Sequence, residues 1–386
     1  MPGPLSGVRA VELASYITGP FACQMLADLG AEVIKIEPPG EGEPFRAGGY
    51  SSQFIGHNHG KRSLALDLKA PGALEVFERL VSTADVLLEN FRPGVADRLG
   101  AGYERVRELN PRIIYCSISG FGESGPYVDR PSYNEIGHAL SGLWSQTVRG
   151  DDLRPPGPAF SDPLTGVFAL HAILAALYVR ERTGQGQRVT TSMLEATMGF
   201  LAEPYSSYFG RGNVVSKRPE YSQAYGFWCG DGQALGIHLS TPPKFWQALV
   251  RTLGREDLIA DPRFATVPLR IENYDAIQAE LAPMFATRAR DEWLELLHAA
   301  DVPCAPIYTV EQALADPQVR HLGIEQMVEH PTQGTVRWLR FPAHFSATPL
   351  QRPLPPPTLG EHTEEILGEL GFSPADVERL RSGGAV

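Results

Sequence analysis

Short apolar runs and helical periodicities take turns along the first half of the chain. Residues 7 to 14 form a partly alternating apolar stretch, a helical pattern follows from Phe21 to Leu29 behind Gly19-Pro20, and Ala31 to Glu37 reads as a second strand. Strand, helix and strand in that order build a parallel sheet with crossover helices. The alternation continues: Ser63 to Leu68 is strand-like, Gly72 to Ala84 helical, Val86 to Glu89 a strand, Val95 to Leu109 helical and Arg112 to Ile118 a strand. Residues 119 to 161 are rich in Gly, Pro, Ser and Asp and carry one helical pattern, Tyr133 to Trp144. Loops of that length usually carry function. A long apolar helix is expected over Leu164 to Arg182, stopped by Thr183-Gly184-Gln185-Gly186, then a strand from Gln187 to Ser192 and a helix from near Leu194.

The same pattern divides the chain. Residues 1–204 read as the first part of a large α/β domain, and the polar residues 205–225 as an irregular linker. Residues 226–330 mix a short strand (Ala234 to Leu239) with helices (Pro243 to Leu253, Tyr274 to Phe285, Arg290 to Ala300), which predicts a smaller α+β domain, with Thr309 as an N-cap. Residues 331–359 are expected as an extended return linker, because residues 349–359 hold five prolines. Residues 360–386 are expected as a C-terminal helix completing the large domain.

A length of 386 residues fits this division, since single cores stop growing at roughly 250–300 residues. No stretch reaches the ~18 uninterrupted apolar residues of a membrane span, and Met1 to Arg9 lack the pattern of a secretory signal. A cytoplasmic protein is therefore expected, with no membrane partner. Cys23, Cys116, Cys229 and Cys304 show no metal-ligand spacing and are expected as buried free thiols in a reducing cytoplasm. The ten histidines include no HExxH, so no metal site is expected. A net charge of −11 argues against a nucleic-acid surface.

Basic residues nonetheless concentrate at Arg46, at Lys61, Arg62 and Lys69, and at Arg92 and Arg98, where a parallel sheet can bring them to one edge. No Walker motif and no GxGxxG after a strand is present. Asp162 stands in Ser161-Asp162-Pro163, directly before the long helix. An Asp N-cap followed by Pro is a common helix start; equally, a helix N-terminus favours an ionised carboxylate, which can attack an acyl carbon. The run Gly120 to Pro126 reads as a turn whose small residues also permit close backbone approach to a ligand. His138, on the helix after it, reads as a structural hydrogen-bond partner, and Gly226 to Gly232 as a hairpin turn or a glycine-rich cover.

Several segments together resemble the family III coenzyme A transferases, which include the α-methylacyl-CoA racemases. They are Gly30 to Pro38, Gly60 to Lys69, Ala84 to Gly94, Gly120 to Pro126, Ile173 to Leu177, Arg182 to Gln187 and Leu359 to Thr363. The resemblance covers nearly the whole chain. It implies a Rossmann-like large CoA-binding domain with a parallel sheet, a smaller α+β domain and an interlocked homodimer. It also implies acyl-CoA and a small carboxylic acid as substrates, with no tightly bound cofactor.

By the same resemblance Asp162 is the nucleophile, which forms an aspartyl anhydride and then an aspartyl-CoA thioester, with nearby backbone amides serving the oxyanions. Coenzyme A contacts carried over are Ile17, Thr18, Leu66, Lys69, Asn90, Phe91, Arg98, Tyr133 and Met193. Many relatives place an arginine where Pro38 stands, so Arg46, Lys69 or Arg98 is expected to meet the phosphates. Racemase relatives carry a histidine where Tyr133 aligns, within Gly-His-Asp, whereas this chain has Ser132-Tyr133-Asn134. A CoA-transferase is therefore expected; the alternatives are an α-methylacyl-CoA racemase and a non-catalytic CoA-binding protein.

Overall fold

The computed structural model describes residues 3–46, 50–148, 151–155, 157–213, 218–240, 243–330, 332–351 and 353–386. It divides into two compact units, Met1–Ala202 with Ile324–Val386, and Glu203–Gly323.

Six parallel strands form the centre of the first unit: β1 (Arg9–Leu13), β2 (Glu32–Glu37), β3 (Lys61–Ala65), β4 (Val86–Glu89), β5 (Ile114–Ser119) and β6 (Gln187–Ser192). Their order is β3-β2-β1-β4-β5-β6, so the direction of winding reverses between β1 and β4. Successive side chains of a strand face opposite sides, and both sides are apolar. Val11, Ile34, Leu87 and Tyr115 belong to one core, with helices Ala73–Ser82 and Tyr103–Leu109. Ala10, Val33, Val86 and Cys116 belong to the other, with helices Thr18–Asp28 and Ser161–Thr183. The single C-terminal helix expected over 360–386 is two, Thr363–Glu369 and Pro374–Ser382, separated at Gly371 with φ +82°, and they place Ile366, Leu367 and Leu380 in the first core. By length and composition Ser161–Thr183 could cross a membrane; here Ala169, Leu170, Ile173 and Ala176 pack it against the sheet.

In the second unit, β7 (Ala224–Trp228), β8 (Ala234–His238) and β9 (Cys304–Pro306) form an antiparallel sheet whose core includes Phe227, Ile237, Leu281, Phe285 and Trp293. Gly226 to Gly232 is the end of β7 and its hairpin turn, closed by Cys229 N–H to the Gln233 carbonyl at 2.8 Å. Thr309 caps its helix as expected, accepting from Gln312 N–H.

Four further expectations need correction. The expected helix Val95 to Leu109 is two, Val95–Arg98 and Tyr103–Leu109, because Gly100 takes φ +73° and Asp97 packs where a Cβ on Gly102 would sit. Gly142, at φ +81°, similarly splits Tyr133 to Trp144 into Asn134–Leu140 and Leu143–Thr147. The expected irregular linker 205–225 carries helices Ala202–Arg211 and Arg218–Ser222, with residues 214–217 outside the described residues. None of the side chains of Ala202–Arg211 is buried. The expected return linker begins inside a hairpin of β10 (Glu325–His330) and β11 (Gly334–Leu339); only the segment after it is extended, with residue 352 outside the described residues. That segment is pinned to its own unit by Gly60 N–H to the Leu354 carbonyl and Arg46 Nη1 to the Pro357 carbonyl.

Candidate active site

Where winding reverses, the loops after neighbouring strands diverge and leave a crevice at the carboxyl ends of the strands. Here the diverging loops are Ser15 to Thr18 after β1 and Asn90 to Pro93 after β4. A cleft of about 220 Å³ opens between them, and its lining also includes Gly120, Ser132, Tyr133, Asp162 and Met193. Asn90 ties the two loops together: its Oδ1 accepts from Ser15 N–H at 3.0 Å, and its Nδ2 donates to the Ser15 carbonyl at 2.8 Å and to Thr18 Oγ1 at 3.0 Å. Tyr16, at φ +64°, is held by its N–H donated to the buried Glu43 carboxylate at 2.9 Å, and its ring meets that of Tyr133 edge-on at 5.9 Å.

Of the eleven site residues expected from the sequence, the cleft gathers Ile17, Thr18, Asn90, Phe91, Tyr133, Asp162 and Met193. Four lie outside its lining. Leu66 is 2% exposed and packs in the core, leaving only its backbone for a ligand. Lys69 and Arg98 are exposed, with no ion pair among the described residues. Arg46 needs correction as a phosphate ligand. Its guanidinium is buried, donates to both Glu37 oxygens at 2.6 and 2.7 Å, and lies over the Phe54 ring. Lys61 is likewise internal, paired with Glu12 at 2.7 Å, and Arg62 pairs with Glu32 and Glu369. Sequence reasoning did not assign Arg130 to the site, although it lines the cleft beside Arg92.

Asp162 is partly buried in the first turn of the helix Ser161–Thr183, but it is not the N-cap. Phe160 holds that position, in helical backbone conformation and without a side-chain cap. The turn is satisfied from elsewhere. Phe160 N–H and Ser161 N–H donate to His138 Nε2 at 3.2 and 3.3 Å, Asp162 N–H donates to Asn134 Oδ1 at 3.3 Å, and Pro163 has no N–H. The helix can therefore begin three residues earlier than the apolar pattern indicates. The amides expected to serve an oxyanion are already engaged.

The Asp162 carboxylate itself has no hydrogen-bond partner among the described residues. Burial, with the Glu135 carboxylate adding to it, lifts its carboxyl to about 6. Burial is the larger of these two influences. Even so, a carboxyl at about 6 is roughly nine-tenths ionised at pH 7.

A parallel sheet covered on both faces, with an unpartnered carboxylate in a crevice at its switch point, has the form of an α/β protein with a ligand site at the carboxyl ends of its strands. Residues 5–363 match the model of CoA-transferase family III. The chain is 34% identical to the succinyl-CoA:glutarate CoA-transferase of Mus musculus, over 99% of this chain and 90% of that one. It is 38% identical to the acetyl-CoA:oxalate CoA-transferase of Acetobacter aceti, over 82% and 84%. The crystal structure of a CaiB/BaiF family protein from Brucella suis superposes with a TM-score of 0.85 at 35% identity, over 96% of this chain and 100% of that one. The chain belongs to CoA-transferase family III and is an enzyme that transfers coenzyme A between carboxylic acids.

Proposed function

We propose that Asp162 carries the transfer covalently and that the acceptor is a small dicarboxylic acid. The observation that carries this reading is the Asp162 carboxylate, which lines the cleft with its oxygens unengaged by the described residues and is ionised at neutral pH. It attacks the donor thioester carbonyl, expelling CoA thiolate and forming an aspartyl acyl anhydride. The thiolate attacks the Asp162 carbonyl, releases the donor carboxylate and leaves an aspartyl-CoA thioester. The acceptor carboxylate attacks that thioester and expels the thiolate. The thiolate then attacks the acceptor's acyl carbon, frees Asp162 and completes the exchange. Water must be kept from the anhydride throughout.

The choice of acceptor follows the relatives, which are named for succinyl-CoA with glutarate and for acetyl-CoA with oxalate. Arg92 and Arg130 line the cleft without an ion pair among the described residues, so positive charge is available for the anionic ends of both substrates. Tyr133, in place of a histidine, supplies no base for racemisation. Nor does His138, whose Nε2 faces backbone amides.

The active unit is proposed to be an interlocked homodimer. Ile136, Leu140, Phe160, Phe168, Tyr178 and Phe200 are all 40% or more exposed, on or directly before helices that pack together, and a second copy would cover them.

The test is incubation with several acyl-CoA donors and a panel of carboxylic acids, read by mass, with hydroxylamine or borohydride trapping at Asp162. Transfer to a dicarboxylate with a trapped adduct on Asp162 is the expected result. Full transfer by Asp162→Ala would remove the mechanism. Deuterium exchange beside the thioester carbonyl without transfer would favour the racemase.

A further inference from the structure

We propose that His138 is a positioning residue for Asp162: its neutral imidazole, accepting at Nε2 from the amides of Phe160 and Ser161, sets where the helix of the nucleophile begins and therefore where the carboxylate stands. The proposal rests on Asp162 being the attacking group.

The helix Asn134–Leu140 presents Asn134, Gly137 and His138, spaced i, i+3 and i+4, on one face. All three engage the start of Ser161–Thr183. Asn134 and His138 accept its three free first-turn amides. Gly137 permits the approach, since a Cβ there would lie 2.8 Å from Ser161 Oγ and 2.9 Å from Met193 Sδ. The turn that carries Asp162 is thus capped by a neighbouring helix rather than by its own N-cap residue.

A neutral imidazole has one donor and one acceptor nitrogen. Because Nε2 accepts, Nδ1 carries the hydrogen, and it has no partner among the described residues although the side chain is 0% exposed. An orphaned buried donor is unfavourable. A residue present only to fill space would avoid it by being apolar.

The imidazolium cannot do the same work, because it would set an N–H against two amide donors. The charged group acting on the ring is Glu135 on its own helix, and Asp162 follows the capped Ser161 on the facing helix. The helix Met193–Phe200, packed against both, contributes Met193 and Thr197, and its Glu195 carboxylate is taken by Ser192 Oγ at 2.6 Å. Burial pushes the imidazole below its usual range, so the ring is neutral at pH 7. As pH falls through that lowered value the ring protonates and the cap is lost. The acid side of the rate profile then reports two protonations, of Asp162 and of His138.

The test compares His138→Gln, which keeps a carbonyl acceptor but does not titrate, with His138→Leu, which keeps bulk but not the acceptor. His138→Leu should lower kcat by about 10- to 100-fold while KM for the acyl-CoA stays within about threefold, as expected of a displaced reacting group. His138→Gln should restore most of kcat and reduce the acid limb from two protons to one. If His138→Leu does not fold, the slope of that limb in His138→Gln decides.

Imidazole ¹⁵N spectra of the wild type provide a readout that needs no transfer, and Nδ1–H with unprotonated Nε2 is expected at pH 7.5. Unchanged kcat in His138→Leu, equal losses in both variants, or an Nε2–H tautomer would each overturn the proposal. If the wild type moves coenzyme A to no acid, the proposed function fails. The tautomer, with amide exchange at Phe160 and Ser161, then decides the positioning role.

Discussion

At the scale of single residues, Asp162 combines two demands that oppose each other. A nucleophile must be ionised and lightly solvated, and partial burial makes ionisation unfavourable, which lifts its carboxyl to about 6. A carboxyl raised above its unfolded value is more easily held protonated in the folded protein, so its ionisation destabilises the fold at pH above about 6 and does not below the unfolded value near 3.8. Asp162→Asn is therefore expected to raise the melting temperature at pH 7.5, and the gain should shrink as pH falls below 6. After allowance for solvent reaching the site, the gain is about 1–2 kcal/mol. Thermal melts at pH 7.5 and 5 check this, and a gain independent of pH would contradict it. The same variant should lose transfer by at least about 10³-fold, since no other group replaces a covalent nucleophile. In the wild type, kcat should fall as pH drops through about 6, because the ionised carboxylate is the reactive form. The sequence marked Asp162 through Ser161-Asp162-Pro163, but it could not show that the residue is not the cap. That depends on His138 and Asn134, more than twenty residues earlier.

At the scale of elements, close approach between helices sets the geometry around Asp162. Gly137→Ala adds helix propensity of about 1 kcal/mol, yet its Cβ would press on Ser161 Oγ and Met193 Sδ. If the start of Ser161–Thr183 is as tightly held as these distances imply, the variant should lower kcat by about tenfold or more with little change in secondary structure. Steady-state kinetics beside circular dichroism separates these effects. The strands β1, β2, β4 and β5 were legible because both faces are largely apolar and turn residues bound each run. Helix ends were legible only where they coincided with that pattern. The breaks at Gly100 and Gly142 fell inside apparently continuous helices.

At the scale of the whole molecule, charge is partitioned rather than spread. Arg46, Lys35 and Lys61 are buried with Glu37 and Glu12, while Lys69, Arg92, Arg98 and Arg130 stay exposed without ion pairs among the described residues. Arg46→Ala would leave Glu37 buried without its bidentate partner, and a loss of about 3–5 kcal/mol is expected, read from denaturant unfolding. A surface role in phosphate binding would instead leave stability unchanged and weaken coenzyme A binding. For the proposed dimer, light scattering on the eluting protein should give about twice the 42.1 kDa of one chain. A mass of one chain would remove the interlocked arrangement.

The sequence by itself determined the class of the large unit, the order of strand and helix along it, and the segments that mark a coenzyme A transferase. Apolar periodicity and turn chemistry are local, and they can be read from neighbouring residues. Tertiary structure alone decided which charges are internal and how the helix bearing Asp162 begins. It also set how far Asp162 is desolvated. Each of these depends on groups distant in sequence that meet only when the sheet has formed: Glu37 with Arg46, His138 and Asn134 with the amides of residues 160–162, and the loops after β1 and β4 across the switch point.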